Sequence, residues 1–268
     1  MTLVIPEAFG GIPLKRVGDL QPYIKGLLYG KPGAGKTFFS AQASKVPAMS
    51  PCLVMTPDAT EADTLREAAP DAVHAKINNF EEFWDIYRAC AVGLDDPDKI
   101  PFKTIIMDTG TEAQKMNMRD IMAKLMITGR PGGGEVNMDV PSVREWGQSS
   151  SEMRRILRSF RDLPVNFIVN CHEQESRDNR GVNWYKPDLP GKLTNQVAGM
   201  FSLVGYVYIN AKYEKQDGRN VVVDEKRCLL TGFVDGFVTK SRAGTLPRVM
   251  EDPQMATLYE LITGKPAA

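Results

Sequence analysis

Gly30-Lys31-Pro32-Gly33-Ala34-Gly35-Lys36-Thr37 fits G-x-x-x-x-G-K-[ST], the spacing of a loop that holds nucleotide phosphates. Gly30, Gly33 and Gly35 let the backbone wrap so that successive N–H groups point at phosphate oxygens. The helix entered through Phe38 adds the positive end of its dipole. Lys36 reaches the β- and γ-phosphates, and the Thr37 hydroxyl is a ligand for Mg²⁺. Residues 30–38 are therefore read as a site for ATP with Mg²⁺. The competing reading is a Gly-rich turn before a helix, with no ligand.

Asp108 closes the apolar run Lys103-Thr104-Ile105-Ile106-Met107. An acid at the carboxyl end of a buried strand lies beside the phosphate site of an open α/β sheet. There it can hold a water on the Mg²⁺ bound by Thr37. Hydrolysis also needs a group that orients the attacking water. Strand-end geometry favours Asp58, with Glu61 and Glu112 as rivals. His172 ends the run Val165 to Asn170 and is expected at the same sheet edge, where it would sense the γ-phosphate. Lys240 and Arg242 sit at alternate positions and share a face. They are expected to act as fingers on ATP held by an adjacent protomer.

A further set lies between Gln174 and Lys192. Arg177, Arg180, Trp184, Tyr185, Lys186 and Lys192 interleave cations with rings, which suits single-stranded DNA. Glu175, Asp178 and Asp188 dilute that charge, and the plainer reading is a solvated loop with Trp184 tucked into the core.

The elements around these residues read as follows. Ile24 to Tyr29 is a buried strand entering the phosphate loop, and Phe38 to Ser44 is the helix leaving it. Cys52–Thr56, Val73–Ile77, Lys103–Asp108 and Val165–Asn170 are further strands. Helical spacing covers Phe80 to Ala91, with Phe80, Phe83, Trp84 and Tyr87 as a core stripe. Two more helices are expected, one running to about Met126 and one from Ser142 to Arg161. Tyr206–Tyr213, Val221–Val223 and Lys226–Gly232 then read as strands, with a turn at Asp217-Gly218. The order predicts an α/β fold whose mostly parallel central sheet is extended by an antiparallel C-terminal meander. One domain is expected over 1–268: an arm (1–21), a core (22–250) and a C-terminal helix and tail (251–268).

Composition narrows the setting. The 268 residues carry 33 basic and 33 acidic side chains, so contact with nucleic acid must come from a local patch. Cys52, Cys90, Cys171 and Cys228 form no C-x-x-C pair, which argues against a zinc ribbon or a disulfide framework. They read as buried thiols in a reducing compartment. No apolar run is long enough to span a membrane, and Met1 to Arg16 lacks the pattern of a signal peptide. A cytoplasmic protein is expected.

Taken together, the set resembles the RecA-like P-loop ATPases, and is most similar to the small phage ATPases of the Sak class that accompany single-strand annealing and recombination. The likeness runs from about Ile24 to Gly264. It is carried by residues 30–37, Ile106-Met107-Asp108-Thr109, Asn170-Cys171-His172-Glu173, Lys186-Pro187-Asp188-Leu189-Pro190-Gly191-Lys192 and Lys240-Ser241-Arg242-Ala243-Gly244. The last also resembles the K-x-R finger of DnaB-type helicases. The resemblance implies a RecA-like core, ATP hydrolysis between protomers, a homo-oligomeric ring or filament on single-stranded DNA, and a single-strand-binding or annealing protein as partner. If the chain is phage-encoded, its place is the host cytoplasm. Residues 127–141, which include Arg130, and 174–192 would correspond to the two DNA-facing loops of RecA. Asp58 stands where RecA has Glu, and His172 where it has Gln. A P-loop ATPase, kinase or switch that does not act on DNA is the alternative. A DNA-binding module with a degenerate nucleotide site is a third.

Overall fold

The structure is a computed structural model and describes residues 8–57, 61–133, 135–191, 193–216 and 219–268. An exposed arm carries a small hairpin of β1 (Ala8–Phe9) and β2 (Ile12–Pro13). β3 (Lys25–Gly30) then feeds α1 (Lys36–Ala41). Strands and helices alternate through β4 (Cys52–Thr56), α2 (Glu61–Ala68), β5 (Val73–Lys76), α3 (Phe80–Ala91), β6 (Thr104–Asp108), α4 (Gly110–Thr128), α5 (Val143–Asp162) and β7 (Asn166–Arg177). The remainder holds β8 (Asn183–Pro187), α6 (Leu193–Met200), β9 (Leu203–Gln216), β10 (Arg219–Leu230), β11 (Lys240–Ser241), β12 (Val249–Glu251) and α7 (Met255–Thr263).

The main sheet runs β12-β10-β9-β3-β7-β6-β4-β5. The six strands from β9 to β5 are mutually parallel, while β10 and β12 are antiparallel. This is the RecA-like α/β arrangement expected from the sequence. Both faces are covered, so the strands read as unbroken apolar runs. Leu27, Tyr29, Met107, Phe167 and Val169 face Met153, Ile156 and Phe160 of α5. Leu28, Val54, Ile106 and Ile168 face Phe39 of α1 and Leu258 of α7. Each such side chain contributes about 1.5–3 kcal/mol on burial.

The order puts β7 between β3 and β6. Gly30 is paired with His172, and Asp108 with Asn170. The carboxyl ends of β3 and β6 therefore converge at one edge with the point where β7 leaves the parallel sheet. Caps fix the helices there and beyond. Thr109 accepts from the Glu112 N–H at the start of α4, and Ser142 and Glu145 form a capping box on α5.

Several element boundaries differ from the sequence reading. The helix after the phosphate loop stops at Ala41 and passes into a 3-10 turn over Gln42–Lys45. Residues 174–192 are mostly a hairpin, not a loop: β7 runs on to Arg177 and pairs with β8 from Glu173↔Pro187 to Arg177↔Asn183. The turn is organised by Asp178, whose carboxylate accepts from the N–H groups of Arg180 and Val182 at 2.8 and 2.9 Å. Val221–Val223 is not a separate strand but lies inside β10, which pairs with β9 along its length. Asp217 and Gly218 lie outside the described residues, although Gln216 and Arg219 on either side of them are paired. All four cysteines are free and buried. No helix among the described residues is long and apolar enough to cross a membrane.

Candidate nucleotide site

The loop between β3 and α1 is shaped by two close approaches. A Cβ on Gly30 would lie 2.1 Å from the carbonyl oxygen of Val207, so β9 passes too close for any side chain. Gly35 caps α1 in the left-handed region at φ 92°, and a Cβ there would lie 2.5 Å from Nε of Arg227. Lys36 is buried and turned back into the loop. Its Nζ donates to the carbonyl oxygens of Gly30 and Lys31, both at 2.9 Å. The ammonium is thus held at the mouth of a ring of backbone groups.

A cavity of about 470 Å³ opens over the loop. Gly33, Gly35, Lys36, Thr37 and Phe38 line it, joined by Glu67 of α2, Thr109, His172 and Arg227. Lys31 and Ala34 belong to the same loop, and the Ala34 N–H closes a turn on the Lys31 carbonyl at 3.2 Å.

Arg227 and Glu67 were not singled out from the sequence. Arg227 arrives on β10, and its guanidinium lies 4.7 Å over the ring of Phe38. Its signal was indirect: β10 pairs with β9, and β9 flanks the strand that feeds the loop. Glu67 brings a carboxylate to the cavity wall where the sequence reading relied on Asp58. Asp58 itself lies outside the described residues, as does Lys192.

Asp108 is fully buried at the end of β6. Beside it, Asn170 Nδ2 donates to Ser40 Oγ of α1 at 2.8 Å, while its Oδ1 is buried without a hydrogen-bond partner among the described residues. This tie locks the phosphate-loop helix to the central strand. The oxygens of Thr37 and Asp108 are the hard donors that Mg²⁺ takes, beside a loop in which Gly30 and Gly35 leave no room for a Cβ. The residues present fit that ion. Bound there with a nucleotide, it would neutralise charge on the phosphates.

His172 lines the cavity from within β7, level with Gly30, although the strand does not end there but runs on to Arg177. Its Nε2 lies 3.8 Å from Glu112 Oε1, and its backbone N–H donates to Thr111 Oγ1 at 3.0 Å. The Thr111 hydroxyl in turn donates to the Asp188 carbonyl at 2.9 Å, and the Asp188 N–H donates to the His172 carbonyl at 2.8 Å. The start of α4, the His172 backbone and the foot of the β7–β8 hairpin therefore form one hydrogen-bonded unit. Glu112 also pairs with Lys115 at 2.8 Å. Between these groups, Cys171 is buried, which pushes its thiol up to about 12.

Lys240 and Arg242 do share a face. Lys240 Nζ donates to the Ala198 carbonyl at 2.8 Å, and Arg242 Nη2 reaches the Gly199 carbonyl at 3.5 Å. Both thus sit at the C-terminal end of α6. β11 pairs with the start of β9, whereas Val207 further along β9 touches Gly30. The pair therefore stands toward the opposite sheet edge from this chain's own phosphate loop.

Most of the residues read as a DNA surface share the β7–β8 hairpin, and several of them are engaged. Arg180 and the Trp184 indole both meet the Asp178 carboxylate, at 3.1 and 3.3 Å. Hydrogen bonds from the Val182 N–H first, then from Trp184 and Arg180, pull Asp178 down to about 2. Arg177 donates to the Gly181 carbonyl at 2.9 Å. Tyr185 stacks on Phe237 at 5.0 Å and packs against the core, and Lys186 is half-buried. Arg130 lies on the loop after α4, paired with Glu145 of α5 at 3.3 Å.

Residues 23–243 match a family described as AAA domain. Among solved structures, the flagellar accessory protein FlaH from Methanocaldococcus jannaschii is similar, with a TM-score of 0.41 and 9% sequence identity over 88% of each chain. No curated protein matches the chain in sequence.

Proposed function

From the premise that this chain belongs to the AAA domain family of P-loop ATPases, we propose that it is a DNA-dependent ATPase. It binds single-stranded DNA, hydrolyses ATP between protomers of a ring or filament, and serves annealing or recombination beside a strand-annealing partner, as the phage ATPases of the Sak class do. The observation that carries the reading is the hydrogen-bonded unit of Thr111, His172 and Asp188. It joins the nucleotide cavity to the foot of the hairpin that bears Arg177, Arg180, Trp184 and Lys186. A shift of His172 in response to the γ-phosphate would move that hairpin, and DNA on the hairpin would act back on the site by the same contacts.

Within the site, Lys36 and the loop N–H groups bind the phosphates, and Thr37 and Asp108 hold the metal. Asp58 or Glu67 orients water. Lys240 and Arg242 complete the site of a neighbouring protomer, which fits their position away from their own loop.

A second reading, a P-loop kinase or switch without DNA, is favoured by one observation. The hairpin's two arginines are already matched, Arg180 by Asp178 and Arg177 by the Gly181 carbonyl. ATP turnover with and without oligothymidylate separates the two, with Lys36→Ala as the inactive reference. Stimulation by the strand supports the DNA reading, and turnover indifferent to it supports the second. Unaltered hydrolysis by Lys36→Ala would remove the phosphate-loop assignment.

A further inference from the structure

One face of α5 gathers arginines that the hairpin does not. Arg154, Arg158 and Arg161 line a shallow cavity of about 500 Å³ together with Gln196, Gly199 and Met200, and none of these lining residues is acidic. Arg154 Nε is held by Gln196 Oε1 at 2.8 Å, and Arg161 is paired with Asp162 at 2.6 Å. Arg158 is exposed and has no carboxylate within ion-pair distance among the described residues. Lys240 and Arg242 end on the Ala198 and Gly199 carbonyls and add two cations at the same rim. In a chain with no net charge, this is a local excess.

The face continues along the helix. Arg154 also lines a second cavity, of about 710 Å³, walled by Trp146 and Ser150 of α5 and by Gln174 and Leu189 at the foot of the hairpin. Trp146 is 43% exposed. Positions 146, 150, 154, 158 and 161 fall on one side of an α-helix and span about 22 Å along it.

We propose that this face of α5 is a track for a nucleic-acid single strand, with Trp146 stacking a base and Arg154 and Arg158 meeting the phosphates. The inference rests on the DNA-dependent reading above and names a surface for it. Cations with an exposed ring at one end are what a single strand needs, since every base offers a face to stack. An acidic peptide would use the arginines but not the indole. The track also meets the hairpin foot beside Asp188, whose N–H bonds the His172 carbonyl at 2.8 Å. An occupant therefore lies close to the nucleotide cavity.

The test is fluorescence anisotropy of labelled oligothymidylate with the full chain over a series of salt concentrations. Arg154→Gln with Arg158→Gln should lower the salt slope by about 1.4, two single-strand phosphate contacts. Trp146→Ala should weaken binding about tenfold, within the range for one stacked base. Arg155→Gln is the control. That arginine lies over the Trp84 ring at 4.8 Å, off the track, and its loss should leave the slope unchanged. Melting curves establish that each variant is folded. If the chain binds the strand and the double variant keeps the parental slope, the track is wrong while the DNA-dependent reading stands. If the chain binds no strand at any salt, both fall. If polyglutamate competes as well as oligothymidylate and Trp146→Ala has no effect, the face serves an acidic polypeptide and the nucleic-acid assignment is overturned.

Discussion

Replacing Gly30 by Ala tests the packing of the nucleotide loop most directly. The added Cβ would lie 2.1 Å from the Val207 oxygen and 3.2 Å from its carbonyl carbon, both backbone atoms of a central strand. Carbon–oxygen contacts between strands settle at about 3.3–3.6 Å, so β9 must retreat by about 1.2 Å or the loop must lift by as much. Neither is easy, because Val207 is buried and β9 is hydrogen-bonded to β3 and β10. Overpacking of this kind costs about 1–3 kcal/mol, and the backbone conformation at φ 157° adds about 1–3 kcal/mol for a residue with a Cβ. A loss of about 2–6 kcal/mol is a large part of the ~5–15 kcal/mol that holds a domain folded. Gly33→Ala isolates the second part. It has φ 79° but open space around a Cβ, and should lose only about 1–2 kcal/mol. The assay is urea denaturation of both variants, with ATP affinity measured by a fluorescent analogue. Equal midpoints for the two variants, or a parental midpoint for Gly30→Ala, would show that the approach of β9 does not constrain the loop.

Three further outcomes are expected. Arg227→Ala should weaken ATP binding about 10–100-fold, the worth of a charged hydrogen bond, with little change in melting temperature; unchanged affinity would place Arg227 outside the site. Lys25 is lowered to about 7, mainly by burial, although its ammonium donates to the Leu163 and Val165 carbonyls. Between pH 7 and its ordinary 10.5, the unfolded chain keeps a proton that the folded chain has lost, so the Lys25 contribution to stability rises with pH across that window. The difference between parent and Lys25→Met in denaturation midpoint isolates this rise, because Tyr29 and Tyr206, raised mainly by burial, act in the opposite sense above pH 10. A difference that stays flat or falls from pH 7 to 10 would refute it. Arg242→Ala should keep ATP affinity and lose turnover, and mixing it with Lys36→Ala protein should restore some activity. No recovery in mixed oligomers argues against a finger acting in trans.

The parts of the site that are local in sequence were legible in it. The phosphate loop is a contiguous pattern set by backbone geometry, and Asp108 ends an unmistakable apolar strand. Arg227 was not legible. It is nearly two hundred residues from the loop and reaches it only because β9 lies beside β3 and β10 beside β9. The hairpin was not legible because its strands are mostly polar, and no apolar run sets them apart from a loop. Asp178 looked like a dilution of positive charge, yet it builds the turn and binds Arg180 and Trp184. The track on α5 was hidden for the converse reason. Its arginines are interrupted by Met153, Ile156, Leu157 and Phe160, and separate from that core face only when the helix is wound.

The burial of all four thiols gives the chain an unusual chemical silence. Cys52 and Cys171 are both pushed up to about 12 by burial, and Cys90 and Cys228 are raised in the same direction for the same reason. At neutral pH the reactive thiolate of the first two is about a hundred-thousandth of the population, so maleimides and mild oxidants find almost nothing to attack while the fold is closed. A single cysteine introduced on the outer face of α5 or at the hairpin tip would carry a probe alone, with no need to strip the native thiols from the core. The same silence makes thiol modification a clock for unfolding, since label enters the native positions only as fast as the sheet and its covering helices come apart.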